Sequence, residues 1–141
     1  MAAGRERPCV PGGRARGVLW PVGLRFGTRV GESLGHAIGA VDAATNGSAA
    51  YFMVNCAHPD HFCDVADDAE WAHRIRGVRC NASRMSHAEL DEAEVLDDGD
   101  SHELADGYRG LIDSMPWLNV LGGCCGTDLR HVTEIAGMLT N

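Results

Sequence analysis

Short apolar runs alternate with helix-period stretches along most of this chain. The runs are Val22 to Phe26, Tyr51 to Cys56, Val78 to Asn81 and Val120 to Gly122. Each is continuously apolar or rich in β-branched and aromatic residues, the mark of strands buried on both faces of a parallel sheet. Between them, Leu34, Ala37, Ile38 and Val41 fall on one helical face, and so do Leu104, Tyr108, Leu111, Ile112 and Met115. A last helix carries Val132, Ile135 and Leu139, with Asp128 or Thr127 as its N-cap. The strand starts are spaced as βα units are. The pattern therefore predicts an α/β fold built on a parallel sheet.

Two segments depart from it. The first 29 residues hold six of the twelve Arg and a single acid, Glu6, in a Pro/Gly-rich context. An Arg-rich, acid-poor start is typical of organelle transit peptides, yet Pro8, Pro11, Gly12 and Gly13 would break any amphipathic helix there. Residues 1–21 are accordingly read as an unstructured extension or a miscalled start, and residues 22–141 as the folded domain. From Glu89 to Glu103 lie eight acids and no Arg, including Asp97, Asp98 and Asp100 around Gly99. Calcium loops need an ordered alternation of ligands that this run lacks, so a solvated loop and a helix start are expected.

Composition narrows the chemistry. The net charge of −8 and a pI near 5.2 argue against a nucleic acid or an anionic membrane surface as partner. All twelve basic residues are Arg, so no lysine nucleophile or Schiff base exists. No apolar run is long enough to span a membrane. The six cysteines, at 9, 56, 63, 80, 124 and 125, are scattered among ordinary helix and strand patterns. That is unlike a disulfide scaffold and points to the reducing cytoplasm.

Functional residues of a parallel α/β protein collect at the carboxyl ends of its strands. Cys56 closes one strand, and Cys124 and Cys125 follow another, so barrel-like closure could bring the three together. Three thiolates and an open position are what catalytic zinc takes, with the open position free for a substrate thiol. Gly122, Gly123 and Gly126 would let the backbone turn sharply around the pair. On spacing alone two other readings stand open: a vicinal disulfide, and a Gly-Gly turn that binds phosphate before a helix. Cys63 and Cys80 are read as core or incidental residues. His58 and His61 are given a place at a helix start, with Pro59 in its first turn.

The stretch Gly122-Gly123-Cys124-Cys125-Gly126-Thr127 resembles the GGCCGT signature of the homocysteine S-methyltransferase family, and Val54-Asn55-Cys56 resembles that family's upstream Asn-Cys motif. Asn81-Ala82-Ser83-Arg84 is similar to one bacterial branch of it. The resemblance implies a (β/α)8 TIM barrel in which three cysteines bind Zn2+, the zinc binds homocysteine as its thiolate, and a small methyl donor yields methionine. It makes Cys56, Cys124 and Cys125 the metal ligands, calls for no catalytic acid or base beyond the metal, and leaves Asn55 as the candidate substrate contact. Such a barrel takes about 250 residues, so four βα units amount to its carboxy-terminal half. A homodimer or a separate amino-terminal half would complete it, and this chain alone is expected to be inactive or nearly so. The rival expectation is a non-catalytic zinc or redox thiol module on an α/β fold.

Overall fold

The computed structural model describes residues 18–22, 28–29, 34–61, 69–85 and 87–140. Strands β1 (Val18–Val22), β2 (Thr28–Arg29), β3 (Tyr51–Ala57), β4 (Ile75–Cys80) and β5 (Val120–Gly123) form one sheet in the order β2-β1-β3-β4-β5. β3, β4 and β5 run parallel. Helices α1 (Leu34–Thr45), α2 (His87–Glu92), α3 (Ser101–Ser114) and α4 (Leu129–Thr140) occupy the connections and the carboxyl end.

The first strand differs from expectation in place and direction. It lies at Val18–Val22 and pairs antiparallel with β3, Val18 opposite Asn55 and Val22 opposite Tyr51. Residues 23–26 of the expected run lie outside the described residues. An apolar run carries no information about direction, which follows from the connection; β1 also pairs antiparallel with β2. A full barrel is thus not formed by the described residues, whose parallel part is three strands. β4 also starts three residues ahead of the expected Val78, because Arg76 and Gly77 interrupt its apolar run without ending its pairing.

Alternation along the strands separates two faces. Phe52, Val54, Ile75, Val78 and Cys80 are buried, and they form one core with Leu34 and Ile38 of α1, Leu104, Tyr108 and Leu111 of α3, Met115 just beyond it, and Ile135 of α4. The other face carries Tyr51, Met53 and Asn55, all half-buried, and exposed Arg79. Helix α3 starts where the acidic run ends: the Asp100 carboxylate accepts the His102 and Glu103 N–H groups at 2.8 and 2.9 Å, satisfying two of the donors a helix start leaves open.

α4 is turned from its expected face. Ile135 is buried as predicted, but Val132 and Leu139 are exposed, and the position one turn before Ile135 that faces inward is His131. Its ring is accommodated because both nitrogens are matched. Nε2 donates to the Asp98 carbonyl at 2.9 Å and Nδ1 accepts the Asp128 N–H at 3.2 Å. A satisfied imidazole can occupy the interior at little cost.

Candidate metal centre

Cys56 reaches the site through a local irregularity. In the pairing of β3 with β4, Asn55 stands opposite Arg79 and Ala57 opposite Cys80, so Cys56 has no opposite number. It is the extra residue of a bulge, and its φ of 58° puts it in the left-handed region. A non-glycine residue there is strained. Bulges re-aim side chains at sheet ends, and here the result is that Cys56 Sγ lies 2.8 Å from Cys124 Sγ.

Cys124 and Cys125 sit on a turn tied to the end of β4. The Cys124 N–H donates to the Cys80 carbonyl at 2.9 Å, and the Cys125 carbonyl accepts the Ala82 N–H at 3.0 Å. The Cys125 N–H donates to Asn81 Oδ1 at 3.2 Å. Thr127 closes the turn, its hydroxyl donating to the Cys124 carbonyl at 2.7 Å. Only one of the three glycines expected to permit the turn does so by conformation: Gly126 has φ 74°, and a Cβ there would meet the Asp97 carbonyl oxygen at 2.7 Å. Gly123 acts by space, since a side chain would overlap Thr127. Gly122 lies on the open face, where a Cβ would make ordinary contact with Arg79.

Sγ atoms of Cys56, Cys124 and Cys125 all lie within 4.8 Å of one another, and this is the one group of three or more metal-ligating side chains among the described residues. Zinc–sulfur bonds of about 2.3 Å at tetrahedral angles hold sulfurs about 3.8 Å apart. The observed spread brackets that value, so the set fits a metal ion with shifts of about 1 Å. Electrostatics point the same way. Burial, reinforced by Cys124 and Cys125, pushes the Cys56 thiol up to about 12, and burial followed by Cys124 raises Cys125 as well. Cys56 and Cys125 therefore resist ionisation unless a cation offsets their charge, and a divalent metal is such a cation.

The other candidates fall elsewhere. Cys80 is fully buried beneath the sheet, its thiol pushed up to about 12 by burial; Cys9 and Cys63 lie outside the described residues. His58 and His61 bracket the 3-10 turn Pro59–His61. His58 Nδ1 accepts the Asp60 N–H at 3.3 Å, and His61 Nε2 donates to the Arg84 carbonyl at 2.9 Å. His58 therefore takes the helix-start role expected of it, whereas His61 ends the turn and ties it to the loop after β4. The acidic run is the solvated loop and helix start expected of it, its described residues exposed from 92 to 100 except half-buried Asp97. Asp97 accepts the Ser83 hydroxyl at 2.5 Å, the Arg130 guanidinium reaches Asp98 at 2.7 Å, and a Cβ on Gly99 would collide with the Ala82 carbonyl.

Two supporting residues escaped the sequence reading. Asn81, buried, holds Cys125 as described. Tyr108 of α3 accepts the Cys80 N–H at 2.9 Å and donates to the Gly122 carbonyl, bridging the ends of β4 and β5. An Asn immediately after a strand is a loop-fixing signal that was available; Tyr108 looked like one more apolar position of its helix.

These elements define an α/β protein with a three-thiol centre at the carboxyl edge of parallel strands. The family model for homocysteine S-methyltransferase matches residues 20–139, and the chain belongs to that family. No curated protein and no solved structure matches it. Among the described residues no helix is long and apolar enough to cross a membrane.

Proposed function

We propose that Cys56, Cys124 and Cys125 hold Zn2+, and that the chain is the carboxy-terminal part of a homocysteine S-methyltransferase barrel that presents the homocysteine thiol to a small methyl donor, giving methionine. The observation that carries this reading is the three-sulfur cluster inside a stretch matched by that family model. Bound there, zinc would supply the positive charge that keeps a substrate thiol ionised at neutral pH. The chain's own residues orient the partners. The Cys56 bulge and the Asn81-anchored turn fix the three ligands before metal arrives, which lowers the ordering cost of binding. Asn55 Oδ1 is buried without a hydrogen-bond partner among the described residues, and the α-ammonium of homocysteine is a donor that would satisfy it. A second copy or an amino-terminal half would supply the strands that complete the barrel, in the cytoplasm.

Metal analysis of the reduced chain tests the first step: about one zinc per chain is expected, with most of it lost in Cys124→Ala. X-ray absorption tests the second, since homocysteine should add a fourth sulfur to the metal shell. Zinc retained by Cys124→Ala would remove the proposed site. A normal zinc content with a shell indifferent to saturating homocysteine would favour a non-catalytic zinc module.

A further inference from the structure

Arg79 is out of keeping with its strand. Central parallel strands are normally apolar on both faces, yet β4 places an exposed arginine between Asn55 of β3 and Gly122 of β5. Its Nε donates to the Gly123 carbonyl at 3.1 Å, so the guanidinium is pinned beside the residue that precedes Cys124. No ion pair joins it to a carboxylate among the described residues; Arg74, Arg84 and Arg130 each have one, whereas Arg76 and Arg109, like Arg79, bond backbone carbonyls. Gly122, its neighbour on β5, projects no side chain over it. One nitrogen thus holds the head group of an exposed residue, and the two terminal nitrogens make no hydrogen bond among the described residues, which leaves a fork suited to a planar anion.

We infer that Arg79 is a substrate-binding residue that receives the α-carboxylate of the thiol amino acid whose sulfur goes to the cysteine cluster. This rests on the homocysteine reading above and extends it, because that reading says nothing of what grips the carboxylate. The reach required is short. Homocysteine's carboxyl carbon lies four bonds from its sulfur, a span of about 5 Å with ordinary bond lengths, and Arg79 is held one residue from Cys124. Its carboxylate is ionised at neutral pH. A carboxylate here and an ammonium at Asn55, the residue opposite Arg79 in the β3–β4 register, would fix both ends of the amino-acid head group. Selection for amino-acid thiols over simple thiols would follow.

The test uses the full zinc-loaded chain and two ligands, L-homocysteine and 3-aminopropane-1-thiol, which is the same molecule without its carboxylate. Binding is read by calorimetry, and metal content and thermal melting are measured alongside. In Arg79→Gln, zinc content and melting should stay as in the parent, homocysteine affinity should fall roughly 10- to 100-fold, the worth of a charge-assisted hydrogen bond, and aminopropanethiol affinity should not change. Arg79→Lys should recover part of the loss, because it keeps the charge and gives up the fork. Equal losses for both thiols would overturn the assignment, since Arg79 would then act on the thiolate and not on the carboxylate. Unchanged homocysteine affinity in Arg79→Gln would overturn it too, leaving the metal reading intact. Failure of the zinc-loaded parent to bind either thiol would instead reject the homocysteine reading, and this assignment with it.

Discussion

The two faces of the parallel strands have been put to different uses. On one, Phe52, Val54, Ile75 and Val78 are closed off from water by α1 and α3. On the other, Tyr51, Met53 and Asn55 are half-buried and Arg79 is exposed. Side chains alternate between the faces along each strand, so a difference of one position separates a residue that holds the fold from one free to meet a ligand. At the carboxyl edge the separation ends. The bulge at Cys56 and the turn at Cys124 and Cys125 gather sulfur from two strand ends onto that rim. The covered face supplies rigidity, and the open face and rim supply chemistry.

The largest effect expected from this division is on stability. Phe52→Ala should cost about 3–5 kcal/mol, as large-to-small changes in closed cores do. Met53→Ala, one residue along and on the opposite face, should cost about 1 kcal/mol, in proportion to its partial burial. Urea denaturation of both variants measures the contrast. Equal losses would break it, and would mean that something covers the open face in solution, a second copy being the first to check by size-exclusion chromatography.

A smaller effect is expected where the two faces communicate. Tyr108 rises from the core of α3, and its hydroxyl ends between Cys80 and Gly122. Burial holds that hydroxyl well above the ordinary tyrosine range, so it stays a neutral donor at any working pH. Tyr108→Phe keeps the ring and strands a buried N–H and a carbonyl, at about 1–3 kcal/mol. Zinc affinity should also drop, although no ligand has been touched, because Gly122 leads into the cysteine turn. A stability loss with unaltered zinc affinity would show that the rim does not depend on the core beneath it.

How far the sequence foretold this differs by feature. Helix faces at Leu34, Ala37 and Ile38 and at Leu104, Tyr108 and Leu111 were legible because burial follows a 3.6-residue period. So were the three parallel strands and the cysteines at their ends. The direction of β1 was not, since an apolar run reads the same both ways. The exposure of Val132 and Leu139 was missed because the helical wheel admits neighbouring stripes, and His131 took the inward position by finding partners at Asp128 and Asp98 that lie 3 and 33 residues away. The bulge at Cys56 was invisible for a similar reason: it exists only in the register between β3 and β4. Asn81 and Arg79 are single polar residues whose meaning depends on which strand end lies next to them, and local pattern carries no such knowledge.

The smallest expected effect concerns the start of α4, which follows directly from the cysteine turn. Asp128 accepts the Arg130 N–H at 2.9 Å and the Arg130 Nε at 2.9 Å, and the Arg130 guanidinium holds its carboxyl well below the usual range. Asp97, held down by the Ser83 hydroxyl, and Asp100, held down by the Glu103 N–H, are lowered too. A carboxyl with a depressed folded value stabilises the fold at pH above its unfolded value of about 3.9 and loses that contribution as pH falls toward the folded one. The thermal midpoint should therefore be flat near neutrality and slide below about pH 4. Asp128→Asn keeps an oxygen for the helix start but gives up the charge beside Arg130. Its midpoint should be slightly lower than the parent's at pH 7, and the gap should close on acidification, when the parent's carboxylate is itself neutralised. Because the pair is exposed, the gap at pH 7 should also narrow at high salt. A gap that stays constant from pH 7 down to pH 2 would mean that Asp128 acts only as a cap, and that the rim owes nothing to its charge.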